Sequence, residues 1–127
     1  RGLMVSLGSP NVLRGASLTG NLSAREALRA GLGDILCSDY APMSLLHAAL
    51  KVHGEGILDL PSAVRLISLN PARAAGIDGL TGSIEEGKAA DLVLVDDGRK
   101  VPAVVRTYVG GREVFRTADP ADPGGQR

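Results

Sequence analysis

The run Ile35-Leu36-Cys37-Ser38-Asp39-Tyr40 turns from apolar to polar and meets Pro42 shortly after. The pattern predicts a buried strand with a carboxylate at its C-terminal end and a helix just beyond. In parallel α/β folds, strand ends of this kind are where ligands and metals collect. An aspartate there can coordinate a divalent cation and take a proton from an activated water. It can also simply cap the helix that begins near Ala41. Local pattern alone leaves both readings open.

Upstream, Ser23-Ala24-Arg25-Glu26 has the form of a capping box, in which Ser23 and Glu26 each satisfy a free backbone amide. Ala24, Ala27 and Leu28 follow helical spacing, and Gly31 is a fitting stop. Before that helix, Leu3 to Leu7 reads as a short buried strand, followed by a loop from Gly8 to Asn21. Strand, helix and the strand Asp34 to Cys37 form a parallel crossover unit, so the fold class is α/β.

Downstream, Ser44 to Val52 is a helix with Leu45, Ala48, Ala49 and Val52 on one face, ended by Gly54 and Gly56. Asp59 caps another, with Pro61 in its first turn. Asn70-Pro71 predicts a third, with Asn70 as cap and Gly76 as terminator. From Gly79 the glycine spacing changes. Asp91 to Val95 reads as a strand, and Ala103–Val109 and Arg112–Arg116 flank the hairpin signal Gly110-Gly111. The chain is expected to divide near residue 78 into a βαβα part and an all-β part. Residues 117–127 read as a disordered tail.

Bulk properties exclude several functions. Fourteen basic residues balance fourteen acidic ones, so no charge favours nucleic acid or an anionic membrane as partner. One cysteine rules out an internal disulfide framework and fits a reducing, cytoplasmic setting. No apolar run reaches the ~20 residues of a membrane span. With one Phe, two Tyr and no Trp, any core must be aliphatic. The opening on Arg1 within a strand-like run suggests the C-terminal portion of a larger protein.

Other candidate positions carry weaker signals. The segment Ser9 to Asn21 holds Asn11, Arg14, Gly15 and Ser17 after a strand, a composition suited to an anion or to a polar surface loop. It lacks the Gly-Lys-Ser/Thr of a Walker loop. His47 and His53 are on different helix faces, so a shared metal site within that helix is not expected. Cys37 reads as a small core residue.

Three pieces together carry a resemblance: Ser38-Asp39, Asn70-Pro71-Ala72-Arg73-Ala74-Ala75-Gly76, and Gly82-Ser83-Ile84-Glu85-Glu86-Gly87-Lys88-Ala89-Ala90-Asp91-Leu92-Val93-Leu94-Val95-Asp96. They resemble the C-terminal end of the metal-dependent amidohydrolase superfamily. The resemblance implies the C-terminal fragment of a (β/α)8 TIM-barrel metallohydrolase plus part of a small β-sandwich. Residues 1–77 would give the last two strand–helix units of the barrel and 78–116 the sandwich part.

Within the superfamily, Gly8-Ser9-Pro10-Asn11-Val12-Leu13-Arg14-Gly15-Ala16-Ser17, continued by Gly20-Asn21, and Ser38-Asp39-Tyr40-Ala41-Pro42-Met43-Ser44-Leu45-Leu46 resemble one branch. Its members are diphosphatases of the carbon–phosphorus lyase pathway, which release diphosphate from a ribose triphosphate bearing a methylphosphonate. Leu18-Thr19 departs from the His-Ser of that branch. The resemblance implies Asp39 as metal ligand and proton acceptor, with Arg14, Asn11, Gly15 and Ser17 as substrate contacts. The cofactor would be zinc, manganese or nickel. Most of its ligands (a His-X-His pair, a mid-barrel lysine or acid, two later histidines) would be outside this stretch, leaving the chain alone inactive.

The implied partner is a small phosphorylated ribose, and a homo-oligomer is compatible with a full-length protein. Two other readings stay open: an amidohydrolase acting on a C–N bond, such as a cyclic-amide hydrolase or deaminase, and an inactive remnant serving as a binding module.

Overall fold

The computed structural model describes residues 2–15, 22–99 and 101–117. Two units divide the chain, Arg1–Ser83 and Ile84–Arg127. The first contains β1 (Ser6–Gly8), α1 (Ser9–Arg14), α2 (Ala24–Arg29), β2 (Ile35–Cys37), α3 (Ser44–Gly54), α4 (Leu60–Arg65) and α5 (Leu69–Ala74). β1 and β2 pair in parallel, Ser6 opposite Ile35 and Gly8 opposite Cys37. The crossover expected from the sequence is therefore present, with α2 in the connection.

Local chemistry sets the helix boundaries. Ser23 Oγ accepts from the Glu26 amide, and Glu26 Oε2 accepts from the Ser23 amide, so the capping box is closed in both directions. Asp59 accepts from the Ser62 amide at 2.8 Å and caps α4. Gly31, Gly56 and Gly76 take positive φ after α2, α3 and α5. There the next residue's amide reaches back into the last turn, as Leu32 does to Ala27 and Ile77 to Ala72.

The core is aliphatic, as the composition requires. Val12, Ala48, Val52 and Ala63 are wholly buried, with Leu28, Leu36 and Leu66 close behind. These side chains bring α1, α2, α3 and α4 together around β2. Ser44 is also on the buried face of α3, and Leu45 is partly buried and packs against the core.

Several sequence expectations are corrected. The run Leu3–Leu7 does not form a buried strand: Leu3, Met4 and Val5 are exposed, and β1 starts at Ser6. The strand pairing covers only Ser6–Gly8 opposite Ile35–Cys37, so the sheet stops short of Leu3 and Met4. The segment Gly8–Asn21 is not loop throughout, because Ser9–Arg14 is helical. Pro10 fits its first turn, where no amide bond is lost, and Gly15 at φ 82 ends it. Asn70 is not the cap of α5, which starts after Ser68. Its side chain instead donates to the Asp34 carbonyl at 2.7 Å and ties α5 to the approach of β2. Cys37 is exposed, because strand alternation turns it away once Leu36 faces the core.

In the second unit β3 (Leu92–Asp96), β4 (Ala103–Val109) and β5 (Arg112–Arg116) form an antiparallel meander in sequence order. Gly110 and Gly111, at φ 56 and 78, make the two-residue turn between β4 and β5. Asp91, expected as the first residue of the strand, precedes it and accepts from the Gly110 amide at 2.8 Å. The Ala-Asp-Leu-Val signature thus fixes a hairpin. Thr117, assigned to the tail from sequence, donates from its amide to the Val105 carbonyl and extends the β4 pairing. The remainder of the tail is outside the described residues.

Glu113 gathers two guanidinium contacts from Arg116, at 2.7 and 3.0 Å, and the Tyr108 hydroxyl at 3.3 Å. Its carboxyl is held below the usual range, mainly by Arg116. Glu26 is lowered by Ser23, Asp59 by Ser62 and Asp96 by Arg99. Depressed native values mean that this stability is complete above the ordinary carboxylate range, around pH 4, and is lost as pH falls through the native values. Melting temperatures should therefore drop on acidification below about pH 4. Ser23→Ala should flatten the part of that dependence due to Glu26; an unchanged acid profile would count against the assignment.

Candidate active site

The C-terminal ends of β1 and β2 lie side by side because the strands are parallel and in register. α1 follows directly from β1, whereas Ser38, Asp39, Tyr40 and Ala41 follow β2. Residues far apart in sequence meet here. Ser9, wholly buried, and Ser44, 6% exposed, are joined through their hydroxyls. Ser44 also donates to the Ala41 carbonyl. That commits its single proton, so Ser9 is the donor to Ser44. The Ala41 amide in turn donates to the Ser38 carbonyl at 2.9 Å. A chain of hydrogen bonds, buried at its Ser9–Ser44 end, therefore runs from α1 to the turn that contains Asp39.

Cutting this chain on one side should cost more than removing it. Ser44→Ala strands the buried Ser9 hydroxyl, for a loss of about 1–3 kcal/mol. The Ser9→Ala/Ser44→Ala double variant should lose clearly less than the sum of the two singles in denaturant unfolding. Additive losses would show that the hydroxyls do not act as a pair.

Asp39 is exposed and has φ 52, the one non-glycine residue with positive φ among those described. Aspartate tolerates this region better than most residues, and left-handed outliers gather at functional sites. The capping alternative is not realised: α3 begins at Ser44, its cap position is Met43, and no side chain caps it. No described group is paired with the Asp39 carboxylate.

Arg14 closes α1, and its Nη2 donates to the Tyr40 hydroxyl at 3.1 Å. The fold thus places the sequence candidate Arg14 against the residue next to Asp39. Asn11 is half-buried on the same helix, and its carbonyl accepts from the Gly15 amide at 3.0 Å. That bond corrects the expectation for Gly15. Its amide is used in closing α1, and the position where a Cβ would project is 3.0 Å from the Arg25 guanidinium. Gly15 ends a helix and does not present a free amide to an anion. Ser17 is outside the described residues, as are Leu18 and Thr19.

Arg25 was not singled out from sequence. Its Nε donates to the Val12 carbonyl at 2.8 Å, and its Nη1 pairs with Glu55 at 3.1 Å, so it joins the end of α1 to the end of α3. His47 is half-buried and His53 exposed, each with Nδ1 near a backbone carbonyl, at Met43 and Leu58 respectively. Among the described residues no three His, Cys, Asp or Glu side chains converge on a common point. The donor set at the strand ends fits a metal only as a contributor: among the described residues it is the exposed Asp39 carboxylate, with no described partner. Among the described residues no helix is long and apolar enough to cross a membrane.

Comparison with known proteins identifies the family. The model of the amidohydrolase family matches residues 16–114. The alpha-D-ribose 1-methylphosphonate 5-triphosphate diphosphatase of Escherichia coli K12 is 48% identical over 90% of this chain, which covers 30% of that protein. The imidazolonepropionase of Maricaulis maris is 39% identical over 68% of the chain, which covers 23% of it. A solved amidohydrolase from Thermotoga maritima superposes with a TM-score of 0.62 at 27% identity, matching 80% of this chain and 29% of that one. The chain thus spans less than a third of the proteins it resembles.

Proposed function

The chain belongs to the amidohydrolase family, and from that premise we propose that it supplies part of the active site of a metal-dependent diphosphatase. The substrate is alpha-D-ribose 1-methylphosphonate 5-triphosphate and the reaction releases diphosphate. The observation that carries this reading is Asp39: an exposed carboxylate in a left-handed conformation at the end of β2, adjoining the residue that holds Arg14. The similarity of the chain to the Escherichia coli diphosphatase over 90% of its length supports this choice of substrate.

Members of the family are generally metal-dependent. A bound divalent cation supplies Lewis acidity and makes water a competent nucleophile near neutral pH. Asp39 serves as one ligand and takes the proton from the attacking water. Arg14 holds phosphate oxygens, and its charge offsets the negative charge that grows as the phosphoanhydride breaks. Asn11 and Ser17 remain candidates for further polar contacts to the phosphates. The other ligands and the rest of a (β/α)8 barrel belong, on this reading, to a longer protein. Residues 78–116 contribute part of a small β-sandwich, and this chain alone is expected to be inactive.

A second reading, hydrolysis of a C–N bond, is favoured by the similarity to imidazolonepropionase. Assaying the full-length protein on ribose and nucleoside triphosphates against cyclic amides separates the two. Release of diphosphate from the triphosphates supports the first. Turnover of the amides alone overturns it.

A further inference from the structure

Tyr40 is 72% exposed, so its ring does not serve the core, yet its hydroxyl is held by Arg14. The choice of partner is informative. Arg25, Arg73, Arg99, Arg106 and Arg116 approach carboxylates, at distances from 2.7 to 3.9 Å, and Arg29, Arg65 and Arg112 have none within 4 Å among the described residues; Arg14 alone is held by a phenol. A carboxylate would orient a guanidinium and neutralise it together. A phenol orients it and leaves the charge intact. Arg14 has no carboxylate partner among the described residues, and one bond to Tyr40 leaves most of its five N–H groups available.

The backbone beneath this pair is well fixed. Arg14 is in the last turn of α1, whose first residue, Ser9, is buried against Ser44. Tyr40 is inside the turn closed by the Ala41–Ser38 bond. The two side chains therefore meet between anchored segments, at the strand end that carries Asp39.

We infer that Tyr40 is a positioning residue that holds the Arg14 guanidinium, with its charge undiminished, for the phosphate oxygens of an anionic substrate. This rests on the diphosphatase reading and adds to it a residue that selects phosphorylated substrates over neutral ones. An unrestrained arginine would have to be ordered by the ligand itself, at a cost in affinity. Tyr40 removes that cost beforehand.

The test is a double-mutant cycle in the full-length protein, reading both the kinetics of triphosphate hydrolysis and the binding of inorganic triphosphate by calorimetry. Tyr40→Phe keeps the ring and deletes the hydroxyl. It should raise KM and weaken triphosphate binding about three- to tenfold, with kcat and melting temperature unchanged. In an Arg14→Ala background the same change should have no further effect. Equal losses in both backgrounds, or no loss in either, would overturn the inference while leaving the diphosphatase reading standing. Failure of the unmodified protein both to hydrolyse triphosphates and to bind inorganic triphosphate would overturn that reading and this inference together.

Discussion

Asp39→Asn should lower kcat of the full-length protein by about two to four orders of magnitude, the range for loss of a positioned general base, and leave the fold unchanged. Asparagine is the informative replacement. It is nearly isosteric with aspartate and is among the few residues that accept the left-handed region in which Asp39 is held, at φ 52. A stability difference should therefore be small, since no described group is paired with the carboxylate. What disappears is the negative charge and the capacity to accept a proton. Bound metal per chain should fall as well, since an amide oxygen is a weaker ligand for a divalent cation than a carboxylate. Asp39→Ala would be a poorer probe because it adds backbone strain. An Asn variant with wild-type turnover and metal content would leave Asp39 as a surface residue in an unusual turn.

Much of this fold was legible because its punctuation is chemically specific. Ser23 and Glu26, Asp59, and the glycines after α2 and α5 act within a few residues of themselves, so their roles can be read without the tertiary structure. The same holds for Gly110-Gly111, where two positive φ values in sequence leave few alternatives. Legibility ended where a residue acts across the fold. Asn70 looks like a helix cap until β2 is in place and offers it the Asp34 carbonyl, 36 residues away.

The site divides in the same way. Asp39 was visible as a carboxylate at the end of a strand, since that requires only the local run from Ile35 to Tyr40. The Ser9–Ser44 and Arg14–Tyr40 pairs were not, since their partners are 35 and 26 residues apart. Only the parallel register of β1 and β2 brings them together. Gly15 misled for the opposite reason. Its freedom of φ was legible, but not whether its amide would face a ligand or a helix carbonyl. α1, at six residues, is too short for periodicity to have revealed it.

Gly82 offers the largest expected effect on stability. It has φ 93, and a Cβ there would meet Ala72 Cβ at 2.7 Å, Leu69 Cα at 3.2 Å and the Ser68 carbonyl at 3.2 Å. Two of these atoms are backbone and the third is a methyl fixed to a helix, so no flexible side-chain end can move aside. Gly82→Ala should then combine an unfavourable φ, about 1–2 kcal/mol, with overpacking, about 1–3 kcal/mol. The total is a sizeable share of an ordinary domain's stability. The clash falls on the start of α5, whose Asn70 fastens the approach to β2, so strain there reaches the strand that carries Asp39. A suitable control is Gly54→Ala at the end of α3, where φ is not positive and nothing is within 4 Å of the added carbon. That change should be neutral or stabilising, by up to about 1 kcal/mol. Denaturant unfolding of the two variants separates position from residue type: similar small shifts in both would mean that α5 yields to Gly82→Ala at little cost, and that Gly82 does not hold it in place.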